Sequence, residues 1–294
     1  MSSANIEGIS RRLVAECTAA QVADALTRSF EGYVMPVDVS ARGYELRFRP
    51  ENVDPFASYA YFRETGPVAV VLVARRGWTS RIAAMAVAPS ARGRGVGKRI
   101  MQGVIDEAVE RGERSVLLEV FEHNTPAVHL YQGLGFEPLR RLVGYRHDPG
   151  GAAPEITDTL SELDPLAFAR VVAREGEPNL PWMLAADTLS GVVSPARAFH
   201  LDHRAYVLIG DPDADVITLT ALVVPRTNRR SGWGTRLLQA LLATYPDKAW
   251  ALPQIVPAEL APEFFARCGW EQMDTNQLEM VLNLSPNSEI AENG

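Results

Sequence analysis

The chain has 294 residues, enough for about two domains at roughly 100–200 residues each. Hydrophobic residues make up 47% and charged residues 22%, a balance that supplies a full core and excludes a disordered chain. The net charge of −7 argues against broad nucleic-acid binding, and no apolar run reaches the about 18 residues of a membrane span.

The first residues show no basic stretch followed by an apolar one, so no secretion signal is predicted. The two cysteines, Cys17 and Cys268, are far apart and do not make a disulfide framework or a cysteine-rich zinc site. A reducing, cytoplasmic setting is expected. Thr18 to Phe30 reads as a helix, with Thr18 as N-cap and Val22, Ala25, Leu26 and Phe30 on its apolar face. Tyr33 to Pro55 has no clear period. Tyr59–Phe62, Val68–Arg75 and Arg81–Ala88 read as a meander of strands, broken at Glu64-Thr65-Gly66-Pro67 and at Gly77. A glycine-rich turn at 89–97 opens a helix striped by Ile100, Met101, Val104, Ile105, Ala108 and Val109 and closed by Gly112. Strand Val116–Phe121, helix Asn124–Gly133 and strand Phe136–Tyr145 follow.

Asp148 to Ala153 has linker composition, which predicts domains at 1–147 and 154–284, a linker at 148–153 and a polar, disordered tail at 285–294. The second half repeats the order of the first: helix Leu163–Ala173, strands Ala205–Ile209 and Val216–Val224, a basic glycine-containing turn, helix Thr235–Thr244, strand Lys248–Leu252, helix Ala258–Arg267 and strand Glu271–Leu284. Gly97 and Gly234 are 137 residues apart, and Gly135-Phe136-Glu137 and Gly269-Trp270-Glu271 are 134 apart. Two nearly equal offsets point to a duplicated domain.

The turn at 92–97 follows a strand and opens a helix. Glycine permits close approach of a ligand to the backbone, and the free N–H groups and partial positive charge of a helix N-terminus hold anions. Residues 75–99 carry Arg75, Arg76, Arg81, Arg92, Arg94, Lys98 and Arg99 with no acid, which suits a small polyanion or a plain solvated face. The spacing is neither that of a P-loop nor that of a dinucleotide fold. The run Val87-Ala88-Pro89-Ser90-Ala91-Arg92-Gly93-Arg94-Gly95-Val96-Gly97 resembles the acetyl-CoA signature of the GNAT superfamily. Leu118-Glu119-Val120, Asn124, Ala127, Leu130-Tyr131 and Gly135-Phe136 resemble its later signature, in the right order.

The resemblance implies an α/β fold (α+β, with a mixed sheet) as two tandem GNAT acyltransferase domains, the second degenerate. It implies acetyl-CoA as cosubstrate, inserted between two splayed parallel strands. Its pantetheine arm is expected on Met85, Ala86 and Val87, with Asn124 and Ala127 beside it, and its pyrophosphate on the N–H groups of Arg92, Gly93, Arg94, Gly95, Val96, Gly97 and Lys98. Asn124 serves equally as a helix N-cap. Tyr131 is the expected proton donor to the leaving thiolate, and Glu119, set between apolar neighbours, the candidate base. His123 and His129 are poorly spaced for a metal, and none is expected.

The second loop, Val223 to Gly234, reads as weakened. It has one residue more between Pro225 and Arg229 than lies between Pro89 and Arg92, Arg230 in place of Gly93, and Trp233 where phosphates would approach. Phe265, Ala258 and Pro253 fall at the places of Tyr131, Asn124 and Glu119. The expected function is N-acetylation of a primary amine, a small-molecule acceptor, with no nucleic-acid or membrane partner. The alternatives are a mycothiol-synthase-like enzyme, a protein N-terminal acetyltransferase and a non-catalytic acyl-CoA-binding scaffold.

Overall fold

The computed structural model describes residues 8–33, 38–150, 158–260 and 263–284. In chain order the elements are β1 (Ser10–Leu13), α1 (Ala19–Ser29), α2 (Ala41–Phe48), β2 (Tyr59–Arg63), β3 (Gly66–Arg76), β4 (Thr79–Val87), α3 (Val96–Glu110), β5 (Ser115–Phe121), α4 (Thr125–Gln132) and β6 (Glu137–His147). Then come β7 (Ser161–Leu163), α5 (Pro165–Glu175), α6 (Ala186–Leu189), β8 (Arg197–Leu201), β9 (Ala205–Ile209), β10 (Val216–Val223), α7 (Trp233–Thr244), β11 (Ala249–Pro257), α8 (Phe264–Arg267), β12 (Glu271–Gln272) and β13 (Gln277–Asn283). The chain forms two compact units, residues 1–139 with 278–294, and residues 140–277.

In the first unit the strand order is β1-β2-β3-β4-β5-β13, antiparallel from β1 to β4 and parallel between β4 and β5. β3 is buried on both faces. Val71 and Val73 pack with Ile100, Met101 and Val104 of α3, while Val70 and Leu72 pack with Val22, Ala25 and Leu26 of α1. A capping box starts α1, with Thr18 Oγ1 accepting from the Gln21 N–H and Gln21 Oε1 accepting from the Thr18 N–H. α2, which the sequence reading left unassigned, begins at Ser40, whose hydroxyl accepts from the Gly43 N–H.

The units do not divide at the 148–153 stretch. From Arg140 onward β6 belongs to the second unit, where Val143 and Tyr145 enter the core and β6 pairs antiparallel with β11. β13, from the far end of the chain, completes the first unit, where Met280 is fully buried. The tail at 285–294 and residues 151–153 lie outside the described residues. The second unit repeats the layout, with order β6-β11-β10-β9-β8-β7 and α7 packed on it through Leu237, Leu238 and Leu241. The expected helix from Ala258 is reduced to α8, and β7, β8 and α6 are additions to the sequence reading.

Part of the basic strip is structural. Arg75 reaches Glu113 and Asp54, each at 2.7 Å, and Arg111 adds a bond of 2.8 Å to Glu113. Burial alone raises the two carboxyls, but bonds from Arg111, Ser80 and Arg75 outweigh it at Glu113, and bonds from Arg75 and the Phe56 N–H do so at Asp54. Both are held below their ordinary values of 4.5 and 3.8. Their stabilisation is therefore present above those values and lost as pH falls through the lower folded ones. The expected result is a urea midpoint that holds down to pH about 5 and drops progressively as the pH falls below about 4.5, with a smaller drop in Arg75→Gln.

Candidate active site

β4 and β5 run in parallel register from Thr79↔Ser115 to Ile82↔Leu118, and the pairing ends there. β4 continues to Val87, paired only with β3, and β5 continues through Glu119 to Phe121. Met85, Ala86 and Val87 thus lie along a free strand edge. The strand leads into Gly93 (φ +74°) and Gly95 (φ +71°), left-handed conformations that glycine adopts without strain, and Gly95 is the N-cap of α3.

The N–H groups of Gly93, Arg94, Gly95, Val96, Gly97 and Lys98 donate no hydrogen bond to any described residue. Six consecutive free donors at a helix N-terminus, beside the exposed Arg94 and Lys98, form an anion cradle. A Cβ on Gly97 would meet Met85 Cε at 3.1 Å, Leu130 Cδ2 at 3.5 Å and Val87 Cγ2 at 3.8 Å. The cradle, the strand edge and α4 therefore converge on one place.

Arg92 is not a member of the cradle. Its backbone N–H donates to Pro89 O at 3.3 Å, its Nε to Val87 O at 2.7 Å and its Nη2 to Glu31 O at 2.7 Å. The side chain ties the loop to the end of α1. Arg92→Ala is expected to weaken acetyl-CoA binding about tenfold, a loss that corresponds to about 1.4 kcal/mol, with kcat little changed. Calorimetry beside steady-state kinetics separates the two.

Tyr131 lies on α4 in the core, 6% exposed, edge-on to Phe136 at 5.9 Å. Burial first, and the neighbouring Tyr33 second, push its phenol above the ordinary range, so it stays protonated. Asn124 does two things at once: its Oδ1 caps α4 by accepting from the Ala127 N–H at 3.4 Å, and its side chain is hydrogen-bonded to Tyr33.

Glu119 is the first residue of β5 beyond the last parallel pair, and it is not a lone carboxylate. Its two oxygens accept from Arg81 Nε at 2.9 and 2.8 Å, and Arg81 Nη1 donates to Glu51 at 2.5 Å. The three side chains are 8%, 8% and 3% exposed. Burial opposes the Arg81 charge, and Glu119 and Glu51 more than restore it, so the guanidinium is held above its ordinary range. The sequence reading placed Arg81 only within a basic strip and did not identify Glu51 or Tyr33. The one signal available was an arginine inside the apolar strand Arg81–Val87. Among the described residues no cluster of His, Cys, Asp or Glu is placed to hold a metal. Among the described residues no helix is long and apolar enough to cross a membrane.

The second unit reproduces the loop. Arg229 Nε donates to Val224 O at 3.0 Å and its Nη2 to Glu175 O at 2.6 Å, as Arg92 does to Val87 and Glu31. Val87, Arg92 and Gly97 thus correspond to Val224, Arg229 and Gly234 at one offset, so the loop has no inserted residue; its proline, Pro225, stands one place earlier than Pro89 does. Phe265 sits edge-on to Trp270 at 5.8 Å and 64°, against 5.9 Å and 62° for Tyr131 and Phe136. Phe265 carries no hydroxyl where Tyr131 carries one, while the loop keeps the same backbone contacts.

The profile of the acetyltransferase (GNAT) family matches residues 19–136. Streptothricin acetyltransferase of Streptomyces lavendulae is 41% identical over 61 residues, 20% of this chain and 32% of that protein. Mycothiol acetyltransferase of Renibacterium salmoninarum is 46% identical over 50 residues, 17% of this chain and 15% of that protein. The matched segments thus span less than half the length of these relatives. A solved tandem GNAT protein from the clavulanic acid biosynthesis pathway aligns with 95% of this chain and 99% of its own, at TM-score 0.66 and 16% identity. Residues 19–136 therefore belong to the GNAT acetyltransferase family, within a chain that has the tandem GNAT fold.

Proposed function

We propose that the chain is an acetyl-CoA-dependent N-acetyltransferase whose chemistry lies in the first unit and whose acceptor is a small molecule with a primary amine. The row of six free N–H groups at 93–98, opening from the end of β4, carries this reading. The cradle holds the pyrophosphate and the edge at Met85–Val87 holds the pantetheine arm. Acetyl-CoA supplies the thioester carbonyl that a neutral amine attacks.

Glu119 takes the ammonium proton, directly or through a water. The pairing supports this role. A proton on Glu119 leaves Arg81 still paired with Glu51, so no buried charge is stranded, as it would be in a simple ion pair. The same carboxylates favour a cationic acceptor. Tyr131 donates its proton to the leaving sulfur. The pocket that disfavours a phenolate disfavours a thiolate as well, so burial does not abolish the driving force for transfer.

Incubation with acetyl-CoA and a panel of amines, read as CoA release and acetyl mass gain, tests the reading. Turnover on small amines, lost in Tyr131→Phe, supports it. Acetylation of peptide N-termini alone would reassign the acceptor, and no turnover on any amine or peptide would remove the enzymatic reading. The names of the relatives, for streptothricin and mycothiol, favour small amines as the first panel.

A further inference from the structure

The face of the first sheet that carries the Glu51–Arg81–Glu119 triad also carries a row of rings. β5 sends Leu118 and Val120 into the core against α3, so Glu119 and Phe121 share the opposite face. Tyr33, just beyond the end of α1, sets its ring 6.3 Å from that of Phe121 and 5.1 Å from that of Phe30. His123 continues the row, 5.4 Å from Phe121. Phe121 is buried, Phe30 and Tyr33 are half-buried and His123 is exposed, so the row runs from the core to the surface.

Two sets of contacts fix this row against the reacting centre. The Tyr33 side chain is hydrogen-bonded to Asn124, the N-cap of α4, and its phenol lies close enough to Tyr131 to raise that group further. Arg92 donates to the carbonyls of Ser29 and Glu31 and to that of Val87. The segment that brings Phe30 and Tyr33 is therefore tied to the end of the free edge of β4.

None of these rings takes part in the proposed proton transfers. Burial raises the Tyr33 phenol above its ordinary value of 10, and the bond to Asn124 offsets only part of that, so Tyr33 stays protonated and acts through its ring. Phe121 lies two residues beyond Glu119, a step of about 7 Å along the strand. An aromatic cage for an ammonium needs ring centres within about 6 Å of the cation, so an ammonium held by Glu119 stops short of the row. What reaches the rings is the substituent that the amine carries. Edge-on and tilted rings at these separations are completed by a further ring in the same geometry.

We infer that the acceptor is a primary amine joined by a short spacer to a planar aromatic ring, with the ring on Phe30, Tyr33 and Phe121 and with Tyr33 setting the preference. This rests on the acetyl-transfer reading above and names its substrate class.

The test compares phenethylamine with cyclohexylethylamine, which has the same carbon skeleton and no flat π-face. The expected kcat/KM is about tenfold higher for phenethylamine, carried by KM, the size of one or two ring–ring contacts. Tyr33→Phe keeps the ring and should keep the ratio. Tyr33→Leu should bring it to within about twofold of unity, at an unchanged melting temperature. A wild-type ratio near unity, or a preference that persists in Tyr33→Leu, would overturn the inference and leave the acetyltransferase reading in place. If no amine is acetylated, that reading falls, and saturation-transfer NMR of phenethylamine with CoA present decides the inference by itself. Saturation of the ring protons by the wild-type chain and not by Tyr33→Leu supports the site. Equal saturation by both, or none by either, overturns it.

Discussion

Tyr131→Phe is expected to lower kcat for acetyl transfer by about a hundredfold or more, the usual weight of a positioned proton donor, with acetyl-CoA affinity within about twofold of wild type. The substitution isolates the hydroxyl unusually well. Phe265 already fills the corresponding place in the second unit, with the same ring geometry against its aromatic neighbour. A phenylalanine at 131 should therefore leave the packing intact, and an unchanged unfolding midpoint would confirm it. Because burial and Tyr33 keep the phenol protonated, the wild-type rate should show no alkaline loss below pH about 10. A variant that retains near-full kcat would assign the thiolate's proton to water and make Tyr131 a packing residue.

Arg81→Leu should produce the largest loss of stability. It leaves Glu51 and Glu119 buried without the guanidinium that they share. Breaking a buried pair by removing one partner typically costs about 3–5 kcal/mol. In a unit of this size that corresponds to a fall in Tm of roughly 10 °C. Arg81→Lys should recover part of the loss, since an ammonium supplies the charge but not the planar fork that serves two carboxylates. Glu119→Gln gives the complementary readout. It should cost little stability but lower kcat most steeply at acid pH, where the acceptor holds its proton. If Glu119→Gln changes the melting temperature but not the pH profile, the triad is structural only.

The local features of the fold were written in the sequence. The Thr18 N-cap, the Gly93–Gly97 loop and the paired glycines Gly135 and Gly269 are decided by short-range chemistry, and the structure places them as read. α2 escaped because Ala41–Phe48 has only a faint apolar face, with Phe48 its one buried residue. The domain boundary escaped for a different reason. β6 and β13 are both apolar closing strands, and nothing local tells such a strand which sheet it will complete. The Glu51–Arg81–Glu119 triad joins three elements distant in sequence, so pairing there is a tertiary fact. In the second loop the count from Pro225 to Arg229 suggested an extra residue. The hydrogen bonds of Arg229 correct it.

The central claim is that the first unit binds acetyl-CoA through its backbone cradle. It is tested most directly by calorimetric titration of acetyl-CoA into a chain whose second loop carries Ser231→Glu and Gly232→Asp, and then into the same chain with Gly93→Asp and Gly95→Asp added. A Cβ at Gly93 or Gly95 meets no atom within 4 Å, so the substitutions act through charge and through the strain of a left-handed backbone rather than by crowding. The expected result is one equivalent of acetyl-CoA in the first protein and none in the second. No binding in the first, or one equivalent in both, would contradict the account.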